Sequence, residues 1–200
     1  MRRLLSVVLA VGLIAAEGSA AQDIDRYLSL PLAPISAVIN YQQLFDQTEF
    51  GVRFRGELQD ARLALQRENQ WYSERFEQEE ARIVELRKQD DQGEYNEASD
   101  AFHRDVTNRR SIQDQKGARL EEWGRVQENL FRDVASRPIV QLAETRGISI
   151  ILPAESLIWY AAGVDLTRDA LLAINDGVGD GTGLEGYITA VEYVGIEPVE

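Results

Sequence analysis

GISIILPAESLIWYAAGVDLTRDALLAIND, residues 147–176, is a dense apolar block that closes a long stretch of charged, helical-looking sequence. Its first part holds two short runs, ISIILP and SLIWYAAG, rich in β-branched and aromatic residues and separated by the turn PAE; they read as a strand hairpin. In VDLTRDALLAIND, Asp165 or Thr167 is available as a cap, and Leu166, Ala170, Leu171 and Ile174 share one side, which predicts a short amphipathic helix. Gly147 ends the helix that precedes the block. In that helix, SRPIVQLAETRG offers Ser136 as a cap and Pro138 as the first residue of a fresh turn, so a kink or short break is expected there.

Upstream, residues 52–89 contain no proline, and Phe54, Leu58, Ala61, Leu65, Tyr72, Phe76, Ile83 and Leu86 recur at steps of three, four and seven. Such a stripe has the width of a coiled-coil seam, with Arg, Glu and Gln on the wet faces. KQDDQGEYNEASD, residues 88–100, interrupts it with Gly93 and turn-forming residues, which places a reversal there. A second stripe follows through Tyr95, Ala98, Phe102, Val106, Ile112, Leu120, Trp123, Val126, Leu130 and Val134. At 1.5 Å per residue each arm extends about 55–60 Å, so the two match as an antiparallel hairpin. A continuous rod through Gly93 would leave both thin stripes without a partner. Large apolar residues are sparse between Arg87 and Lys116, so the far end is expected to be held more loosely than the root.

The start, MRRLLSVVLAVGLIAAEGSAAQD, has two arginines, an apolar run and then small residues. That predicts a cleaved secretory signal over residues 1–21, too short in its apolar part to serve as a membrane span. Residues 22–34, with two prolines and no period, read as a linker. ISAVIN (35–40) is an apolar run of strand length, and YQQLFDQTEFG leads from it into helix. Residues 177–200 have six glycines and no basic residue and are expected to form an acidic, Gly-rich tail whose first half is disordered.

The whole chain carries 21 Lys and Arg against 34 Asp and Glu, a formal charge of −13. Such acidity argues against nucleic acid and against an anionic membrane surface as partners. No cysteine is present, which removes disulfides, thiolate metal sites and lipid attachment. Because the arm folds back on itself, the strand before it and the two after it can join one sheet at its base. A sheet so small leaves two edges unpaired. If copies assemble about an axis, the edges pair between neighbours and Val38, Ile150, Leu152, Leu157 and Trp159 become a shared interior.

ISAVIN followed by LFDQTEFG, the charged helical hairpin, and GISIILPAESLIWYAAGVDLTRDALLAIN with its DLT helix start together resemble the Skp (OmpH) family of periplasmic chaperones, over residues 35–175. The resemblance implies an α+β fold: a long antiparallel helical-hairpin, coiled-coil arm (51–135) on a small β-sheet body (35–50 and 136–176) that closes into a barrel on trimerisation. It also implies an ATP-independent holdase that encloses unfolded outer-membrane β-barrel proteins in the periplasm. The chaperones described in that family have cationic arms, whereas residues 77–105 here carry an excess of carboxylates, and no lipopolysaccharide site is carried over.

Trp71, Tyr72, Phe76, Tyr95 and Phe102 are the candidates for client contact, beside their ordinary role in packing between helices. The arm charges could steer basic client segments or serve only as a solvated face. His103 has no companion ligands, and DGVGDGTG lacks the Asp ladder and terminal Glu of a calcium loop, so neither metal nor cofactor is expected. No catalytic triad or phosphate loop stands out, and no enzyme activity is expected. A helical-hairpin adaptor of a cell-envelope complex is the rival class, though flanking β domains usual in such proteins have no room here.

Overall fold

The computed structural model describes residues 35–88 and 92–199; the expected signal and linker lie outside them. The elements are β1 (Ser36–Ile39), α1 (Tyr41–Gln47), α2 (Glu49–Lys88), α3 (Gln92–Thr145), β2 (Ile150–Pro153), single 3-10 turns at Ala154–Ser156 and Ala162–Val164, α4 (Thr167–Val178) and α5 (Ala190–Val194).

β1 lies where expected, and Ala37, Val38 and Ile39 are all buried. Asn40 ends it and starts α1, its side-chain oxygen accepting from the Gln43 N–H at 2.8 Å while its own N–H donates to Thr167 Oγ1 at 3.0 Å. α1 stops at Thr48, whose hydroxyl accepts from the Gly51 N–H at 3.3 Å. A Cβ at Gly51 would lie 1.4 Å from the Phe45 carbonyl oxygen, so only glycine lets the two helices meet this closely.

α2 and α3 form the antiparallel arm. From root outward, Phe54 stacks on Trp123 with ring centroids 5.3 Å apart, Glu68 meets Lys116 at 2.6 Å, Arg109 lies 4.2 Å over the Tyr72 ring, and Phe76 meets Phe102 edge-on at 5.9 Å. As numbering rises along one helix it falls along the other, so the two run antiparallel, but the expected turn stretch over 88–100 is corrected in part: Gly93 and the residues that follow it to Asp100 lie inside α3. Burial on α3 recurs every three or four residues from Lys116 to Ala143, and no described residue of α3 before Lys116 is buried. On α2 burial reaches farther, to Ile83 and Leu86 near the far end, so the hairpin is packed along its length and most densely toward the root.

The expected break at Ser136–Pro138 is absent: α3 runs through Pro138 to Thr145 without interruption. The Ser136 hydroxyl donates back to the Asp133 carbonyl at 2.7 Å instead of capping a new helix. Proline forfeits one helical hydrogen bond, but Phe131, Ala135 and Ile139 are buried in the body's core on the same face, and that burial keeps the helix whole. α3 thus belongs to arm and body alike. Gly147, at φ 65°, ends the helix as expected: its N–H donates to the Glu144 carbonyl at 3.1 Å and the Ile148 N–H to Ala143 at 2.9 Å.

The expected strand hairpin is also corrected. β2 pairs in parallel with β1, Ser36 opposite Ile150 through Ile39 opposite Pro153. Parallel strands need a long crossover, and the arm supplies it. The second run, residues 156–163, forms no strand; beyond it Asp165 makes one isolated parallel bridge to Val38, and the Leu166 N–H donates to the Val38 carbonyl at 2.9 Å. Three expected strands are thus two and a single bridge. β1 has just enough free edge within the chain for that one contact, because the chain turns at Leu166 straight into α4, where Ala170 and Ile174 are fully buried.

The tail differs most. Its expected disorder in the first half is not observed: residues 177–178 complete α4, Asp180–Thr182 form a tight turn, and Thr189 caps α5 by accepting from the Glu192 N–H at 3.3 Å. Gly181 sits at φ 79°, and a Cβ there would lie 2.6 Å from the Phe50 ring. Glycine here serves close packing on an aromatic ring, not slackness. Two neighbouring cores result, one of body residues around Ile39, Phe50, Phe131 and Ile174, and one at the arm's root where Phe54, Ala61, Leu120 and Trp123 meet Ala190, Val194 and Ile196 of the tail. The Phe45 ring lies between them, 5.0 Å from Phe54 and 5.1 Å from Phe131.

Candidate functional site

The five candidate core residues of an assembly divide. Val38 is buried within the chain, whereas Ile150 and Leu152 on β2 are 41% and 37% exposed, Leu157 is half-buried, and Trp159 is 80% exposed. Ile158, which the sequence reading did not single out, stands fully in water at 107%. Among the described residues no strand flanks the outer edge of β2. The body therefore presents an unpaired strand edge beside an apolar loop, a combination that favours covering by another polypeptide.

The arm candidates are drawn together more closely. Trp71 packs edge-on to Tyr72 at 4.8 Å, Tyr72 lies 6.3 Å from Phe76, and Phe76 meets Phe102 across the hairpin. Arg75 sits 5.3 Å from the Trp71 ring and Arg109 4.2 Å from the Tyr72 ring, so cations cover these two aromatic faces. All four rings, and Tyr95 farther out, are half-buried. Phe76 with Phe102, and Tyr72 with Arg109, join the two helices, and all five rings still show part of their surface. Two shallow clefts flank them: one of about 460 Å³ beside Trp71, Gln78 and Arg82, the other of about 500 Å³ beside Phe76, Phe102 and Glu80. Such a surface offers apolar and ionic contact together, without an enclosed pocket.

His103 is exposed, 6.0 Å from the Phe102 ring, and among the described residues no group of three or more His, Asp or Glu could hold a metal ion. In the glycine-rich stretch, one Asp180 carboxylate oxygen accepts from the Thr182 N–H and hydroxyl at 3.0 and 2.8 Å. These bonds, the main-chain one foremost, hold its carboxyl below the usual range. The Asp180 carbonyl meanwhile takes the Arg53 guanidinium.

Two polar clusters went unnoticed in the sequence. Glu68, wholly buried, pairs with Lys116 inside the hairpin. Its position was legible, because it continues the Phe54, Leu58, Ala61, Leu65 stripe at the next step of three, where a charge is out of place. At the root, Arg53 donates to Glu57 at 3.0 Å, to Gln127 at 3.0 Å and to the Asp180 carbonyl at 2.6 Å, and lies over the Phe50 and Tyr187 rings. The Tyr187 hydroxyl donates to Glu57; burial first, and that bond second, push its pKa up. No local signal marks Arg53 among the other arginines of the arm.

No family model matches this sequence, and no curated protein matches it. Among solved structures, the crystal structure of an OmpH-like protein from Caulobacter crescentus, a candidate outer membrane chaperone, is similar, with a TM-score of 0.70 at 11% identity over 75% of this chain and 89% of that one. At that identity the likeness establishes the fold, a long helical hairpin rooted in a small α+β body. No helix among the described residues is long and apolar enough to cross a membrane.

Proposed function

We propose that this chain, which shares its fold with an OmpH-like protein, is an ATP-independent holdase of the periplasm that assembles as a homotrimer and encloses unfolded outer-membrane β-barrel proteins. The observation that carries the proposal is the pairing of a long two-helix arm with a body that leaves the β2 edge, Ile158 and Trp159 uncovered. Pairing those edges between copies would close the sheets into a barrel and point several arms the same way around a space.

A client for such a vessel alternates apolar and polar residues and aggregates in water through its free edges. The half-exposed row of Trp71, Tyr72, Phe76 and Phe102, interleaved with Arg and Glu, suits many weak contacts. Such contacts sum through effective concentration and still break one at a time, so neither nucleotide nor cofactor is needed for release. The acidic arm favours clients with basic segments.

The test has two parts. Light scattering of a urea-unfolded outer-membrane barrel protein, diluted with and without this protein, should show aggregation suppressed near one trimer per client. The solution mass should be that of three chains. Absence of suppression, with a defined mass, would instead favour an adaptor of the cell envelope.

A further inference from the structure

The segment after α4 crosses the root of the arm as a strap, and the arm holds it in a particular way. Arg53 donates through Nε to the Asp180 carbonyl at 2.6 Å, Trp123 through Nε1 to the Ile188 carbonyl at 3.3 Å, and the Arg119 guanidinium to the Tyr193 carbonyl. All three acceptors are main-chain carbonyls, groups that every polypeptide carries, and the same Arg53 and Arg119 also lie against the Tyr187 and Tyr193 rings of the strap.

The apolar contacts are similarly undemanding. Ala190 and Val194 are fully buried and Ile196 nearly so, all small or β-branched, against Phe54, Ala61, Leu120 and Trp123. The Tyr187 hydroxyl adds the bond to Glu57, whose other carboxylate oxygen is buried there and accepts nothing. Nor does the strap fill its groove. Beside its Val191 and Ile196, an apolar-lined cleft of about 420 Å³ opens onto Leu63, Ala64 and Arg67.

We propose that the groove between α2 and α3 at the arm's root is a binding site for a segment of unfolded polypeptide, and that the strap is its resident occupant, displaced when a client segment takes the site. This rests on the holdase reading and deepens it by naming the ligand chemistry: free main-chain carbonyls together with small or β-branched apolar side chains and a tyrosine. An unfolded barrel strand displays these groups. The open cleft gives an incoming segment a first foothold before the strap leaves. Being tethered, the strap competes at a high effective concentration, so a free peptide is excluded. A client already confined between the arms is itself concentrated, and can compete. Occupation of the root then depends on capture at the arms.

The probe is a fluorescent synthetic peptide of residues 186–198, added to the full-length protein and to full-length A190E/V194D, which places two carboxylates in the strap's buried contacts and leaves every arm residue unchanged. The peptide should bind the variant at least about tenfold more tightly than the wild type, since apparent affinity scales with the fraction of open groove. An eight-stranded outer-membrane barrel unfolded in urea should displace it. Equal binding to both proteins, or a bound peptide that excess barrel protein leaves in place, overturns the proposal. Hydrogen exchange on the wild type needs no variant: amides of residues 187–196 should lose protection when the unfolded barrel is added, and unchanged protection overturns the site. Light scattering on the same samples separates the two readings. Suppression without strap release sinks the root site alone; loss of suppression sinks the holdase reading.

Discussion

Glu68 and Lys116 place an ion pair inside the helical hairpin, 2.6 Å apart, with the Glu68 side chain wholly buried. Burying two charges gains little net stability, but it fixes the alignment of α2 against α3, because any slip would strand a charge in the interface. Lys116→Met should therefore lower the unfolding free energy by about 3 kcal/mol, and adding Glu68→Leu should restore most of the loss. Urea unfolding of the two variants measures both. Asp165 acts in the body. Its carboxyl is held below the usual range by hydrogen bonding from Thr167, side chain first and main chain after, and from the Tyr160 hydroxyl, against an opposing effect of burial. Because the folded pKa lies below the unfolded value of about 3.9, the stability it contributes is complete above that value and is lost as pH falls through the lowered folded one. Asp165→Asn should flatten the acid limb of the melting temperature between about pH 5 and pH 3 relative to wild type; parallel curves would refute the linkage.

Among the elements, α3 and the strap carry the least local design. α3 keeps Pro138 in its interior because Ala135 and Ile139 on either side are buried, and because the ring lies near Gly177 of α4, where a Cβ would come within 3.3 Å of Pro138 Cγ. A helix that passes from body to arm without a joint transmits the body's orientation to the arm root. The strap reinforces this by crossing both arm helices. Gly181→Ala would force a left-handed alanine against the Phe50 ring, and should cost about 2 kcal/mol with faster hydrogen exchange through residues 179–196. Unchanged exchange there would show that the turn does not anchor the strap.

For the whole molecule, the question is what covers the edge of β2 and the loop carrying Ile158 and Trp159. A two-stranded sheet gains little from its own ladder, and its stability comes from what packs on it. If copies of the chain supply the cover, Trp159→Ser should reduce the solution mass toward that of one chain, while the wild-type melting temperature rises with protein concentration. A variant that keeps the full assembly mass would place the contact elsewhere on the body.

The sequence by itself determined what depends on near neighbours: β1 from its apolar run, both arm helices and their antiparallel pairing from their stripes, the helix stop at Gly147, and α4, although its N-cap position is Leu166 and not the expected Asp165 or Thr167. Helical period, capping and turn chemistry act over a few residues, so these features are legible from local pattern. That Tyr72, Phe76 and Phe102 lie on the packing stripes of the arm was legible for the same reason, and Glu68 would have been, as a charge on an apolar stripe. The tertiary structure alone decided that β2 runs parallel to β1, that residues 156–163 stay out of the sheet, that Pro138 is absorbed, and that the tail is a strap. Each of these rests on partners brought together across the arm, as Arg53 is with Asp180 and Asn40 with Thr167, each pair separated by 127 positions in sequence. Glycine and acidic residues predict looseness only where no surface waits for them; here Phe50, Trp123 and two arginines did.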